Sequence, residues 1–497
     1  MQRSLRIVLS ALWVIWVIAG PVGAQSERIL LIGGNYRLQT NLNSMQLGSG
    51  FFGAPRYENS DDQTVFFMDT RLRVFFDFRP SRFVLINYKM EVGDVTFGAE
   101  ETITDADGNR LPNVGGNGGG PGSDGVNLET KNVYLEVNLP WVPGLSFRGG
   151  IIGWGDQFDW AILATDFTGL QLTYQRQAWW AQFTFLKFIE GSLRTHSDDS
   201  DWFALDTRYG LSPKTALSAS VYFWNDNEND HPDGSDAYQV YAGLKFNTVL
   251  FGKALFEVYG VYNWGQEYLG QADDECARED CMVTRGGLTG SDNQGFMASM
   301  HIDYPIGKHW VGVTLHYISG EKGGRGDLDG SGQDVDAFLG LFNSQYTGFG
   351  LFRYTGGGGL ELSTFGQLND STAGLNNVAV SPLFGGGYNG RILAVLRSKF
   401  EATPILFFYA AAGLDLAAQE NANGDTYRGI EFAIYMHWDI LPKLWLRTGM
   451  AFMLTGNWWD NNDDIRLQGF PEPLGLDSSG SADDIFQFIL RLQYDFG

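Results

Sequence analysis

Along residues 64–79, TVFFMDTRLRVFFDFR, the side chains sort by parity. Phe66, Met68, Thr70, Leu72, Val74, Phe76 and Phe78 fall on one side. Asp69, Arg71, Arg73, Asp77 and Arg79 fall on the other, with Phe67 and Phe75 among them. A strand sends successive side chains to opposite faces, so the segment predicts a ribbon with one apolar wall and one wall of mixed charge. Soluble strands run roughly 5–6 residues, and this one is far longer. A tilted membrane-crossing strand needs about 9–11 residues and can continue past the bilayer. An Arg or Lys facing lipid at the midplane costs about 2–4 kcal/mol, which turns the apolar side to lipid and the charged side to a lumen.

The same alternation runs to the end of the chain. Residues 32–38 open the series, with Ile32, Gly34, Tyr36 and Leu38 outward and Asn35, Arg37 and Gln39 inward. After residues 64–79, further strands are predicted at 83–93, 132–140, 145–154, 169–175, 178–190, 202–209, 217–224, 238–247, 255–264, 296–304 and 311–317. The closing group is 391–401, 405–414, 429–439, 444–454 and 485–496. Their connections are short where Pro80, Pro140, Pro213, Pro305, Pro404 and Pro442 stand, because proline cannot continue a ladder. On the other side they are long and acidic, as at 226–236, 266–293 and 456–484. Short turns at one end and long loops at the other are the mark of an outer-membrane barrel. With residues 319–389 as one long external connection, the count is about 18 antiparallel up-and-down strands, even as bacterial barrels require. A hairpin at 347–354 and 360–365 would raise it to about 20. Residues 155–165, GDQFDWAILAT, are too apolar for an exposed loop and are expected to fold into the lumen as part of a constriction.

Composition agrees with this. The chain is 44% hydrophobic with 36 Phe, 21 Tyr and 15 Trp, yet past residue 24 no apolar run is long enough for a membrane helix. Alternation dilutes the hydropathy of a barrel strand in that way. The apolar faces are nearly free of charge and no fixed-period repeat is visible, which argues against a sandwich or propeller. Trp141, Trp202, Trp224, Trp264, Trp310 and Trp438 near strand ends are expected to form interfacial girdles. Residues 1–24, with Arg3, Arg6, an apolar run and Val22-Gly23-Ala24, read as a signal peptide, leaving 25–497 as one barrel domain. Without Arg3 and Arg6, 32 basic stand against 58 acidic residues, a net of −26. That balance argues against nucleic acid as a partner and leaves lipid, lipopolysaccharide and hydrophilic solute. Cys276 and Cys281 share one loop, and an oxidising compartment predicts a local disulfide between them.

The residues expected to line the pore are Arg37, Asp69, Arg71, Arg73, Arg79, Lys89, Arg148, Arg208, Lys245, Arg391, Arg397, Lys399, Arg447 and Arg491. Rings of Arg and Lys inside a low-dielectric wall favour anions. The same residues also read as halves of cross-strand ladders with Asp69, Asp77, Glu91, Glu136, Asp206, Glu257, Glu401, Glu431 and Asp439. Asp327, Asp329, Ser331, Asp334 and Asp336 place oxygens at the spacing of a calcium loop, with Gly332 at the sixth position. Phe338 stands where an EF-hand closes with Glu, so the stretch reads either as a looser Ca2+ turn or as a solvated acidic loop. The six histidines show no HExxH spacing and no CxxCH occurs, so neither an enzyme nor a c-type haem protein is expected.

From Ser319 the chain reads Ser319-Gly320-Glu321, the acidic stretch 327–336, Phe338-Leu339-Gly340-Leu341-Phe342 and Tyr346-Thr347-Gly348, with Gly429-Ile430-Glu431 and the strand Gly169-Leu170-Gln171-Leu172-Thr173-Tyr174 beside them. In these motifs it resembles the alginate-export family of outer-membrane barrels. Asn343 stands where that family has proline, and Gly497 follows the usual terminal aromatic. The resemblance implies a monomeric channel of about 18 strands for passive movement of solutes, in the founding case an anionic polysaccharide. The expectation is therefore an outer-membrane porin of a Gram-negative-type bacterium, passing hydrophilic, anionic solutes or oligosaccharides. The alternatives are a surface barrel plugged by residues 319–389 and, more distantly, a barrel enzyme.

Overall fold

A computed structural model describes residues 29–44, 64–97, 128–189, 200–226, 237–269, 288–320, 342–343, 390–420, 424–457 and 485–497. The first thirteen strands are β1 (Ile29–Ser44), β2 (Thr64–Ser81), β3 (Val84–Thr96), β4 (Leu128–Asn138), β5 (Leu145–Gly155), β6 (Leu163–Arg176), β7 (Trp179–Ile189), β8 (Ser200–Ser212), β9 (Thr215–Asp226), β10 (Ala237–Leu250), β11 (Ala254–Leu269), β12 (Leu288–Ile306) and β13 (His309–Ile318). A two-residue β14 (Phe342–Asn343) follows. The wall then resumes with β15 (Arg391–Thr403), β16 (Leu406–Leu416), β17 (Tyr427–Leu441), β18 (Leu444–Thr455) and β19 (Ile485–Phe496).

Eighteen of these strands form a closed antiparallel barrel, each paired with its sequence neighbours and β13 paired with β15. Closure comes from β19 against β1, with Gly34 opposite Phe496 and Asn43 opposite Gln487. Closure removes every sheet edge from the wall, which a bilayer demands because lipid satisfies no backbone polar group. Among the described residues only β14 stands outside the ring; it pairs in parallel with the first residues of β6, Phe342 opposite Leu163 and Asn343 opposite Ala164.

Alternation sets the faces. Leu170, Leu205, Leu244, Leu396, Phe432 and Met450 are exposed on the outside. A soluble monomer does not expose so continuous an apolar surface, whereas a bilayer covers it. Strands as long as the 18 residues of β2 and the 19 of β12 exceed the span of the bilayer and carry the wall beyond it. At the short-turn end, Gly307 takes a φ of 64° between β12 and β13, a left-handed value that costs glycine nothing.

Two expectations need correction. Trp202, Trp224 and Trp310 lie on the inward parity of β8, β9 and β13, and the first two are buried in the barrel's own core rather than in a girdle. Nearness to a strand end does not decide a face; parity does. Trp264 and Trp438 do face outward, and Trp141 is exposed in the β4–β5 turn. The inward segment is also shorter than residues 155–165, since Leu163, Ala164 and Thr165 already belong to β6. The signal peptide at 1–24, Cys276, Cys281, the acidic set Asp327, Asp329, Ser331, Asp334 and Asp336, and the hairpin at 347–365 lie outside the described residues. So does residue range 321–389 apart from Phe342 and Asn343.

Candidate functional site: the constricted lumen

Residues 156–162 leave β5 and turn into the barrel before β6 begins. Asp156 organises the turn from within. Its buried carboxylate accepts N–H bonds from Phe158 (2.7 Å), Ile162 (2.8 Å) and Leu163 (3.0 Å). Three backbone donors that would otherwise be stranded in a water-poor site are thus satisfied by one charge. Phe158, Ala161 and Ile162 are fully buried among Ile152, Trp154, Trp202, Tyr222 and Tyr259.

Phe158 is the plug of this packing. Its ring meets Tyr222 at 6.0 Å and Tyr259 at 5.7 Å between centroids. It fits because position 243 on β10 is glycine. A Cβ there would overlap Phe158 Cζ and lie 2.9 Å from both Cε atoms. Polar ties surround the ring. Gln157 N–H donates to Tyr222 Oη (3.2 Å), and its side-chain amide donates to Asp206 (2.9 Å) and Ser220 (3.0 Å). Lys245 donates to the Gln157 carbonyl (3.1 Å) and pairs with Asp159 (3.2 Å) and Glu257 (2.8 Å). His301 Nε2 lies 3.2 Å from Asp159. The segment is therefore anchored to the β8–β12 side of the wall by an apolar insertion and a polar knot.

The basic residues lie on the inward faces of their strands, and their neighbours sort them. On one arc Arg37 pairs with Asp69 at 2.9 Å, both buried. Beside it Arg73 pairs with Glu91, its direct register partner, and Arg71 reaches the same carboxylate at 3.8 Å. Lys131 adds a third cation to Glu91 at 3.6 Å. Arg148 joins its register partner Glu136 at 2.7 Å and lies over Tyr134. Lys89 instead sits 5.3 Å over the Phe75 ring, with no carboxylate partner among the described residues.

On a second arc, joined to the first where β19 meets β1, Arg391 holds Asp415 with two bonds of 3.0 and 2.9 Å, and Arg397 holds Asp303 at 2.8 Å. The second pair spans a row in which Asp303, Gly312 and Arg397 are register partners. With no side chain on Gly312 the guanidinium reaches across; a Cβ there would collide with the Asp303 carboxylate. Arg491 donates to Gln39 (2.6 Å) and Arg447 to His437 (2.8 Å). Lys399 lies over Phe407 (4.4 Å) and Tyr409 (5.6 Å), again with no carboxylate partner among the described residues. Arg79 and Arg208 are exposed near the short-turn ends of β2 and β8.

The ladder reading and the lining reading thus separate residue by residue. Arg37, Arg391 and Arg397 are at most 3% exposed and act first as structural ties. Lys399 is an inward cation with ring contacts and no described carboxylate partner, whereas Lys89, though in no ion pair among the described residues, lies in the field of Glu91 and Asp166. Asp206, read from sequence as a salt-bridge partner, instead accepts from neutral groups, Ser220 (2.6 Å), Tyr222 (2.7 Å) and Gln157. Sequence reasoning missed Asp156, Phe158, Asp159, Gly243, Asp303, His301 and Asp415 as working residues. Apart from Asp156, whose donors lie within seven residues of it, their partners lie on other strands, and no local spacing marks them.

Two solved structures share this architecture. Acinetobacter baumannii OccAB1 superposes with a TM-score of 0.51 at 11% identity, covering 93% of this chain and 96% of its own. Pseudomonas aeruginosa OccK8 (OprE) gives 0.50 at 12% identity, covering 93% and 98%. The likeness is one of fold. It spans nearly the whole of each chain. No family model matches the chain, and no curated protein does.

Proposed function

We propose that this chain is an outer-membrane channel of the porin type, passing hydrophilic, anionic solutes or oligosaccharides passively. The observation that carries the reading is the inner wall. Arg71, Arg73, Lys89, Lys131 and Arg148 line one arc of it and Lys399 and Arg447 the other; three of the cations share Glu91, and Lys399 has no described carboxylate partner. Inside a low-dielectric wall such a field attracts anions and repels cations. The Occ barrels support the channel half of the reading through fold alone. The resemblance to alginate exporters supports the solute half, an acidic saccharide being the kind of cargo two cationic arcs would guide.

A plugged surface barrel is the second reading, favoured by the inward segment 156–162, in which Asp156, Phe158, Ala161 and Ile162 are buried, and by β14 beside the first residues of β6. In either case the acidic external loops would meet lipopolysaccharide phosphates through divalent cations, and 327–336 would hold Ca2+ if it closes as a calcium turn.

Single-channel recording of refolded 25–497 in a planar bilayer under a salt gradient separates the readings. A channel gives steady conductance with an anion-selective reversal potential, and uronate oligosaccharides added to one side shorten its open events. Strong cation selectivity would remove the anion clause. A silent bilayer with verified insertion, still silent after deletion of residues 321–389, would leave the plugged barrel.

A further inference from the structure

Beneath the tip of the inward segment three potential metal ligands converge from three elements. Asp159 comes from the segment, Glu257 from β11 and His301 from β12, and their ligand atoms all lie within 4.8 Å of one another. His301 Nε2 and Asp159 Oδ2 are 3.2 Å apart. Two zinc–ligand bonds of about 2.0–2.2 Å at a tetrahedral angle hold their ends roughly 3.3–3.6 Å apart. That pair already has close to the required span, and Glu257 completes the set by rotating its side chain inward.

The cluster also attracts a cation as it stands. The Lys245 ammonium lies 2.8 Å from Glu257 and 3.2 Å from Asp159, and donates to the Gln157 carbonyl at 3.1 Å. A tethered monovalent cation occupies the place where two carboxylates and an imidazole focus. Thr314 Oγ1 lies 3.1 Å from His301 Nδ1. With a metal on Nε2, the Nδ1–H would donate to that hydroxyl, the kind of outer contact that fixes the tautomer and ring angle of a metal-binding histidine. Asp159 and Trp160 hold φ values of 65° and 60°, a left-handed pair that L-residues seldom adopt. The turn is thus shaped to carry the Asp159 carboxylate to this point.

We propose that Asp159, Glu257 and His301 form a binding site for a divalent metal ion of the zinc class, taken up in exchange for the Lys245 ammonium. Three protein ligands leave one position of a tetrahedral ion to water, as in open zinc sites. Exchange replaces a single positive charge with two and turns the Lys245 ammonium toward the lumen, while clamping the inward segment to β11 and β12. The site stands on its own geometry, and its metal binding does not depend on the chain conducting solute.

Zinc binding to refolded 25–497 in detergent, against a competing chromophoric chelator, tests the proposal, with Cys276 and Cys281 alkylated so that no thiolate competes. Removing the tethered cation in Lys245→Met is expected to raise affinity at least tenfold over the parent, at one Zn2+ per chain. His301→Ala and Glu257→Gln in that background are each expected to lower it at least tenfold, and Thr314→Val by about tenfold, the range seen for outer-shell partners. Lys245→Gln repeats the comparison should the methionine variant fail to refold, with barrel formation checked by the gel-mobility shift on heating. In bilayers the gain appears as Zn2+-dependent change of conductance in Lys245→Met that His301→Ala abolishes. No saturable binding in either Lys245 variant overturns the site. Binding that survives His301→Ala and Glu257→Gln does so as well, since it places the ion on the acidic external loops.

Discussion

Replacing Gly243 by alanine should release the inward segment, and the size of the effect follows from the geometry. The added Cβ would occupy the space of the Phe158 ring, overlapping Cζ and approaching both Cε atoms to 2.9 Å. The neighbouring rings of Tyr222 and Tyr259 close the other sides, so the phenyl has nowhere to shift and must leave. Burial of a phenylalanine side chain is worth about 1.5–3 kcal/mol. One edge-on and one tilted contact to aromatic rings add about 0.5–1.5 kcal/mol each. The segment therefore loses roughly 2.5–6 kcal/mol of anchoring, and at 1.4 kcal/mol per decade its detached population rises by two to four orders of magnitude. The ladder pairing of β10 with β9 and β11 is untouched, so the barrel itself should be unaffected. In single-channel records Gly243→Ala should add sublevels and open-channel noise that the parent lacks. Phe158→Ala should do the same, because it removes the same anchor from the other side. In Phe158→Ala the space is empty, so adding Gly243→Ala should change nothing further. Quiet records from Gly243→Ala, or noise that adds in the double variant, would refute the reasoning.

Three shorter expectations rest on the same wall. Asp303→Ala should destabilise the barrel toward the low end of the roughly 3–5 kcal/mol typical of breaking a buried ion pair, because the Asp303 side chain is 25% exposed while Arg397 is 1% exposed. Gly312→Ala should produce a similar loss by steric means, and urea titration in detergent measures both. Lys89→Ala with Lys399→Ala should move the reversal potential toward cation selectivity, more at low salt than at high because screening shortens the reach of the remaining field. Arg391→Ala should instead lower stability with a smaller change in selectivity, since its charge is already matched by Asp415. Asp156→Ala should mimic Gly243→Ala in the bilayer, because the N–H groups of Phe158, Ile162 and Leu163 lose their acceptor, at about 1.5–3 kcal/mol per bond to a charged group; unaltered traces would argue against Asp156 as the organiser of the turn.

The fold was legible in the chain because alternation is a local signal with a large energetic penalty behind it. A lysine placed on the lipid face is expensive enough that each strand declares its own two sides, as residues 64–79 do. Proline and glycine at the short turns then fix the strand order, and 18 strands follow from counting. That much the sequence by itself determined, together with the apolar segment after Gly155 that had no reason to be exposed. Tertiary structure decided which charge meets which. Arg73 and Glu91 are partners because the register between β2 and β3 sets them side by side, whereas Arg397 reaches Asp303 only because Gly312 leaves the row between them empty. Parity likewise moved Trp202 and Trp224 from an expected girdle to the core. The notch at Gly243 and the meeting of Asp159, Glu257 and His301 depend on strands far apart in the chain. Their physical cause is closure of the barrel, which brings side chains to one place that no spacing along the sequence records.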